Sequence, residues 1–191
     1  MAKNKNLIDN HSFNFRLKGT ASVLVGIYML LGATLIKSVL TGFITDDSPL
    51  GFLSIENIEI FIGVIIVLVF FFSLLAVFFG SRRTARKLGH NVWNKPSKKS
   101  FWLLLSLFFL VYLIGQLLLE NGYFNYIVPA FLMCYGFLLS ALNYNKHSSL
   151  YVLTIVSILL GLLSLFFPSY WEYALMGLGV AHLVFGVSVK N

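Results

Sequence analysis

Six long apolar runs, separated by short polar segments, constrain this 191-residue chain more than any other feature of its sequence. A helix needs roughly 20 mostly apolar residues to cross about 30 Å of hydrocarbon, because each residue adds about 1.5 Å. The runs cover residues 20–44, 57–80, 100–119, 123–143, 149–167 and 170–189. They predict an all-α integral membrane protein, a bundle of six transmembrane helices.

The composition excludes a water-soluble enzyme and a disordered chain. Hydrophobic residues make up 58% of the sequence and charged residues only 11%, whereas a soluble domain has about 45–50% and about 25%. So few charges cannot solvate a globule, and so much apolar surface cannot remain in water. Membrane-spanning strands alternate apolar with polar residues. Because Ile62–Phe72 is apolar throughout, helices are expected rather than strands.

The expected domain organisation is a polar cytoplasmic leader, residues 1–18, followed by one transmembrane domain, residues 19–190. The first apolar run is interpreted as a retained helix rather than a cleaved signal, because it follows the leader and lacks an A-x-A-like cleavage site. Cys134 is the one cysteine, so no intramolecular disulfide can form. Pro129 falls inside the fourth run and predicts a kink there.

The charges separate into two sets when six spans are assumed. The leader, residues 81–99, residues 143–148 and the tail together hold thirteen of the fourteen Lys and Arg residues. The alternate segments hold six of the seven acidic residues. Cytoplasmic loops of membrane proteins retain an excess of Lys and Arg. The sorting therefore predicts a multi-pass protein of the cytoplasmic (inner) membrane with both termini in the cytoplasm, and the net charge of +7 implies no nucleic-acid partner.

The loop at residues 81–99 is the most basic segment, and Ser81–Leu88 is interpreted as a cytoplasmic extension of the second helix. Its cations are Arg82, Arg83, Arg86, Lys87, Lys95, Lys98 and Lys99. Each cation near an anionic membrane surface contributes about 1 kcal/mol of attraction. We expect the loop to set orientation and to bind anionic lipid headgroups; the alternative is docking of an acidic protein partner. Trp93 and Trp102 flank it, where aromatic belts lie.

A second group of polar residues is expected at the outer face. It comprises Lys37, Glu56, Glu59, Gln116, Glu120 and Glu172. Lys37 lies about 27 Å along the first helix, close enough to the outer surface to pair with acids there. Glu56 and Glu59 are the first candidates, because they share a face of the second helix. The group is interpreted either as local ion pairs at the interface or as a vestibule for a substrate or an ion.

His182 is the polar residue placed deepest in the sixth run, too deep for its short side chain to reach water. Gly179 and Gly186 share its helix face, and small residues allow another helix to approach, so His182 is expected to point into the bundle. Counting along the other runs to the same depth predicts a buried polar layer of Tyr28, Ser73, Tyr135, Ser157 and His182. The layer is interpreted as a structural hydrogen bond or as a site of binding or protonation, and no metal or other cofactor is expected.

Catalytic motifs are missing from the sequence. It contains no H-E-x-x-H motif, no G-x-S-x-G elbow and no P-loop. A serine–histidine pair would need Ser157 or Ser73 beside His182, with no carboxylate to orient the ring. An enzyme is therefore not expected.

A short internal similarity links two of the runs. The sequence Ser22-Val-Leu-Val-Gly26 resembles Ser157-Ile-Leu-Leu-Gly161, and both helices are predicted to run outward, which suggests a parallel repeat of helical hairpins. The stretch from Gly161 through Pro168 to Gly186 resembles the hairpins of HdeD-like bacterial membrane proteins. That resemblance implies a helical hairpin and no particular function.

The function expected from these features is that of a non-enzymatic accessory or structural membrane component. It would act through contacts with lipids, with another membrane protein or with further copies of itself. The alternative is a small-solute carrier or a substrate-binding membrane subunit. Such a protein is expected to have a polar cavity at membrane depth, lined by Lys37, Glu120 or the layer around His182.

Overall fold

The computed structural model describes residues 17, 19–44, 54–88, 93–142 and 150–189. In these residues the chain is all-helical, with six α-helices and no strand, which confirms the predicted fold class at that level. The helices are α1 (Thr20–Ile44), α2 (Ile55–Leu88), α3 (Lys95–Glu120), α4 (Ile127–Leu142), α5 (Tyr151–Phe166) and α6 (Trp171–Ser188). Of the predicted leader, residues 1–18, the structure describes only Leu17. The basic connector at 143–148 and Lys190 also lie outside the described residues.

Helix length divides the six helices into two groups. The first three, of 25, 34 and 26 residues, are long and apolar enough to cross a membrane. The other three have 16, 16 and 18 residues, which corresponds to about 24–27 Å. One helix, α2, continues without a break past the apolar run that ends at Gly80 and includes Ser81–Leu88.

Local sequence explains where α3 and α4 begin. Asn94 caps α3, because its side-chain oxygen accepts a hydrogen bond from the Ser97 backbone N–H at 2.9 Å. Pro129 is the third residue of α4, since the preceding residues Phe124–Tyr126 form a 3₁₀ turn. The missing N–H of Pro129 therefore falls in the first turn, where it removes no intrahelical bond. The kink predicted at Pro129 is wrong for this reason.

The helices pack in the order α2–α1–α6–α5–α4–α3, and neighbours in this order run antiparallel. The most extensive interfaces join α1 to α6 and α4 to α5. Between α2 and α3, the rings of Phe70 and Phe108 stack with centroids 3.7 Å apart. Buried side chains from five helices, including Val25, Leu139 and Leu153, form the main apolar core.

Glycines allow the backbones of α1 and α6 to touch. A Cβ added to Gly26 would lie 2.6 Å from the Gly179 carbonyl oxygen, and one added to Gly186 would lie 2.7 Å from the Gly19 carbonyl oxygen. Gly19 itself has a φ of +54°, and its N–H donates to the Val189 carbonyl at 3.2 Å. This left-handed turn, which glycine adopts without strain, places the start of α1 against the end of α6.

The α4–α5 interface repeats this arrangement. A Cβ added to Gly136 would lie 2.7 Å from the Ile158 side chain, and one added to Gly161 would lie 3.3 Å from the Leu132 Cβ. Close glycine-mediated approach of this kind is how helices associate in lipid. The two Ser-x-x-x-Gly segments noted in the sequence therefore lie in equivalent places, one on α1 facing α6 and one on α5 facing α4.

The charged residues within the described helices separate to two ends of the molecule. Four acidic residues, Glu56, Glu59, Glu120 and Glu172, lie where α2 and α6 begin and α3 ends, which we call the acidic end. Lys37 also lies towards this end. The other end, where α2 ends and α3 begins, is here called the basic end. It carries Arg82, Arg83, Arg86, Lys87, Lys95, Lys98 and Lys99.

Candidate functional site

His182 lies at the junction of α6, α1 and α4, and none of its surface is exposed. Its Nδ1 atom is 3.2 Å from the Ser22 hydroxyl of α1. Its Nε2 atom is 2.8 Å from the Tyr135 hydroxyl of α4. Both ring nitrogens of this buried histidine therefore have partners, each on a different helix.

The hydrogen-bond geometry assigns the protons of this network. The Ser22 hydroxyl donates to the backbone carbonyl of His182 at 2.9 Å, so its single proton is committed there. Ser22 can then only accept from the ring, which places a proton on Nδ1 of His182. The unprotonated Nε2 in turn accepts from the Tyr135 hydroxyl. We infer this tautomer from the network, in which every donor has an acceptor.

Small and large side chains both contribute to the position of the network. Gly26 and Gly179 bring α1 and α6 close enough for the short side chain of Ser22 to reach His182. Tyr135 extends from α4, and its ring lies 6.0 Å from the ring of Phe131. The network therefore connects the α1–α6 pair with the α4–α5 pair.

Of the five residues predicted for the buried layer, a hydrogen bond joins two, Tyr135 and His182. Ser157 instead donates to the Leu132 carbonyl at 2.7 Å. The Tyr28 ring lies 5.7 Å from that of Phe72. The buried hydroxyl of Ser73 has no hydrogen-bond partner among the residues that the structure describes.

Ser22 is the member of this network that sequence reasoning missed. Counting from a common membrane boundary places Ile27 and Tyr28 opposite His182, whereas the turn at Gly19 sets α1 so that Ser22 faces it. The expectation that only Ser157 or Ser73 could accompany His182 is therefore wrong. The signal that could have identified Ser22 is its spacing four residues before Gly26, which puts both small residues on one helix face.

The Ser22–His182 pair has the residue types of a nucleophile and its base, but not their accessibility. Ser22 has no exposed surface, and its proton is directed to a backbone carbonyl rather than to the ring. In this arrangement neither residue presents an atom to a substrate. What the arrangement does chemically is to satisfy polar groups that are removed from water, which is required inside a bilayer.

At the acidic end, Lys37 of α1 forms an ion pair with Glu172 of α6. The Lys37 Nζ is 2.7 Å from a Glu172 carboxylate oxygen and lies 5.6 Å from the centre of the Tyr173 ring. The lysine side chain is 46% exposed and the glutamate side chain 13% exposed. The pair therefore connects the C-terminal half of α1 to the first turn of α6, at a partly exposed position.

The other predicted members of the outer group do not join this pair. Glu56 and Glu59 are exposed at the start of α2, Glu120 is exposed at the end of α3, and Gln116 is half-buried one turn earlier. Lys37 pairs with Glu172 rather than with Glu56 or Glu59 because α6 packs most closely against α1, and Glu172 is in its first turn.

At the basic end, the last turns of α2 form an open groove of about 430 Å³, lined by Phe79, Arg82, Arg83 and Arg86. The three arginines are exposed, as are Lys95, Lys98 and Lys99 in the first turns of α3. Lys87 belongs to α2, but its side chain lies outside the described part of the structure. The groove contains none of the residues of the His182 network or of the Lys37–Glu172 pair.

Metal-binding clusters are not found in the described part of the chain, where no group of three or more His, Cys, Asp or Glu side chains could hold an ion. Comparison with known proteins does not assign a function either. No family model, no curated protein and no solved structure matches the chain.

Proposed function

We propose that this chain is a six-span protein of the cytoplasmic membrane with both termini in the cytoplasm. We further propose that it is an accessory or structural membrane component, acting through contacts with lipids or other proteins rather than by catalysis. Three features support the proposal: the exposed apolar faces, the distribution of charge and the hydrogen bonding of the polar groups inside the helices.

Exposed apolar side chains on the shorter helices support six spans rather than three. Phe137 of α4, Leu159 and Leu163 of α5, and Val180 and Val184 of α6 are all exposed, as expected of residues that face lipid. Aromatic residues of the kind that gather at membrane interfaces lie exposed at both ends. They are Tyr123, Tyr126, Tyr170 and Tyr173 at the acidic end and Trp93, Trp102 and Tyr151 at the basic end.

The three shorter helices, of about 24–27 Å, fall short of the average hydrocarbon thickness of about 30 Å. Local thinning of the bilayer accommodates this mismatch at a modest cost in free energy.

The placement of charges at the two ends supports the proposed orientation. The basic end holds the arginines of α2 and the lysines of α3, and cytoplasmic loops are enriched in these residues.

The single observation that carries the functional proposal is the full engagement of His182. Its two ring nitrogens bind Ser22 and Tyr135, and its surface is completely buried. A solute carrier would use such a group to bind its cargo, since ionisable residues inside membrane spans usually mark transport pathways. Here the group instead connects three helices, which favours a role that depends on a fixed helical surface.

Native mass spectrometry of the protein extracted from its own membrane in polymer-bounded lipid discs tests the proposal. We expect the released protein to retain lipid or a protein subunit at fixed stoichiometry and to carry no small polar solute. A polar solute bound one to one, and lost from the His182→Leu variant but not from a Val184→Leu control, would overturn the proposal in favour of a carrier.

A further inference from the structure

We propose that the groove lined by Phe79, Arg82, Arg83 and Arg86 binds the phosphate of one anionic glycerophospholipid, with the acyl chains lying along the exposed apolar face of α2. This inference rests on the proposed function, because it requires the basic end to lie at the membrane surface. It deepens that function by naming a lipid class and the residues that recognise it.

The spacing of the four groove residues places them on one helix face. Residues three, four and seven positions after Phe79 lie above it on an α-helix, and these are Arg82, Arg83 and Arg86. On the opposite face, Ser81 and Ala85 are buried, with 2% and 0% of their surfaces exposed. The end of α2 therefore packs on the rest of the molecule and presents its three guanidinium groups outward.

The apolar face below the groove has the dimensions of a bilayer core. Phe61, Leu68 and Phe72 lie on the same face as Phe79, and all four are exposed. From Phe61 to Phe79 the helix rises about 27 Å, close to the hydrocarbon thickness of about 30 Å. Arg82 and Arg86 then lie about 5 Å and about 10 Å further along the axis, where lipid phosphates are found.

No described acidic residue competes with a lipid phosphate for the arginines. The acidic residues of α2, Glu56 and Glu59, lie at its opposite end. Within the described residues, no carboxylate forms an ion pair with Arg82, Arg83 or Arg86. Guanidinium groups bind phosphate through two parallel N–H···O bonds, so three of them around one groove match a phosphate ester. The aromatic ring of Phe79 supplies an apolar contact for the glycerol and upper acyl region.

The lysines of α3 provide a matched comparison within the same protein. Lys95, Lys98 and Lys99 carry the same charge at the same end of the molecule and are likewise exposed, but they do not line the groove. They add to the general attraction for an anionic surface. A specific lipid site in the groove and a diffuse surface attraction can therefore be separated by neutralising one triplet at a time.

The test uses the full-length protein in neutral detergent micelles, titrated with phosphatidylglycerol or phosphatidylcholine and examined by native mass spectrometry. We expect the first phosphatidylglycerol to bind about tenfold or more tightly than the first phosphatidylcholine, a difference of about 1.4 kcal/mol. The triple variant R82Q/R83Q/R86Q is expected to lose this preference, and K95Q/K98Q/K99Q to keep it. Phe79→Ala is expected to weaken phosphatidylglycerol binding while leaving the charge unchanged.

Three results would overturn the inference. Equal loss of preference in the two triple variants would show a diffuse surface attraction, and equal affinity for the two lipids would show no anionic site. Displacement of the lipid by millimolar inorganic phosphate would show a site for the free ion. None of these results bears on whether the chain crosses the membrane six times or carries a solute, so failure of the lipid site is distinguishable from failure of the proposed function.

Discussion

Ser22 and Ser157 make the same interaction in two different helix pairs. The Ser22 hydroxyl donates to the His182 carbonyl of α6 at 2.9 Å, and the Ser157 hydroxyl donates to the Leu132 carbonyl of α4 at 2.7 Å. Four residues after each serine, a glycine packs against the same partner helix. The α1–α6 and α5–α4 interfaces are thus two copies of one arrangement, in which His182 takes the place that Leu132 has in the other copy.

We predict that removing either serine hydroxyl destabilises the protein, and that Ser22→Ala costs more than Ser157→Ala. A hydrogen bond between helices in a membrane contributes about 0.6 kcal/mol on average, which is the loss expected for Ser157→Ala. Ser22→Ala also leaves the Nδ1–H of His182 without an acceptor, so the expected loss of unfolding free energy rises to about 1–3 kcal/mol. Reversible unfolding in mixed micelles measures both values.

Ser106→Ala is the control for this comparison, because the exposed Ser106 hydroxyl donates only to the Leu103 carbonyl of its own helix, at 3.0 Å. Its unfolding free energy should remain within about 0.5 kcal/mol of the parent protein. A Ser22→Ala variant that is no less stable than Ser157→Ala would contradict the assignment of the Nδ1 proton.

The repeat also predicts that the Tyr135–His182 hydrogen bond can be replaced by apolar packing. In the α5–α4 copy the position of His182 is occupied by Leu132, and in the α1–α6 copy the position of Tyr135 is occupied by Phe185. Tyr135→Phe leaves Nε2 without its donor, and His182→Leu leaves the tyrosine hydroxyl without its acceptor. The unfolding free energy of each single variant should therefore be lower by about 1 kcal/mol or more.

The double variant Y135F/H182L removes both partners, so its loss should be smaller than the sum of the two single losses by about 0.5–1.5 kcal/mol. The measurement is a double-mutant cycle on the unfolding free energy in micelles. Strict additivity would show that the two side chains do not interact in the folded protein.

Glycine substitutions distinguish the close interfaces from the open helix faces. In Gly186→Ala the new Cβ would lie 2.7 Å from the Gly19 carbonyl oxygen, and in Gly136→Ala it would meet the Ile158 side chain at the same distance. We expect each substitution to lower the unfolding free energy by about 1–3 kcal/mol. The loss should be larger for Gly186→Ala than for Gly136→Ala, because a backbone atom cannot move aside as a side chain can.

Gly63→Ala and Gly115→Ala are the matched controls, since no described atom outside their own helices lies within 4 Å of the added Cβ. Alanine is the better helix former, so these variants should be unchanged or more stable by up to about 1 kcal/mol. The same unfolding measurement applies. Equal destabilisation at all four positions would contradict both the α1–α6 and the α4–α5 interfaces described above.

Charge reversal tests the ion pair at the acidic end. Lys37→Glu and Glu172→Lys each place like charges at the contact between α1 and α6, so each should lower the melting temperature. The combined variant K37E/E172K restores opposite charges and should recover most of the loss. Because Lys37 is 46% exposed, the effects should be small and should diminish in 1 M salt, since dissolved ions screen exposed pairs. Single reversals without effect at low salt would contradict the pairing.

The sequence predicts the helices well because their limits depend on local hydropathy and turn residues. The run at residues 20–44 coincides with α1, and residues 149–167 differ from α5 by no more than two residues at either end. Contacts between helices depend instead on register, which local patterns do not determine. Depth alone predicts Tyr135, but it does not predict Ser22, because Gly19 lies level with Gly186 and α1 therefore begins deeper in the bundle than the boundary from which depth is counted.

The partner of Lys37 illustrates the same limit. Both Glu59 and Glu172 lie at the acidic end, and only the close packing of α6 on α1 selects Glu172. Pro129 shows that an element boundary can change a residue's effect, since a shift of the helix start by a few residues turns a predicted kink into an ordinary first-turn proline.

Cysteine labelling tests the central proposal of six crossings most directly. In a Cys134→Ala background, single cysteines are placed at Lys98, Tyr123, Ser169 and Ser188, and intact cells are treated with a membrane-impermeant maleimide. The proposal predicts labelling at positions 123 and 169 in intact cells and at positions 98 and 188 only after permeabilisation. Labelling of positions 169 and 188 from the same side of the membrane would contradict it.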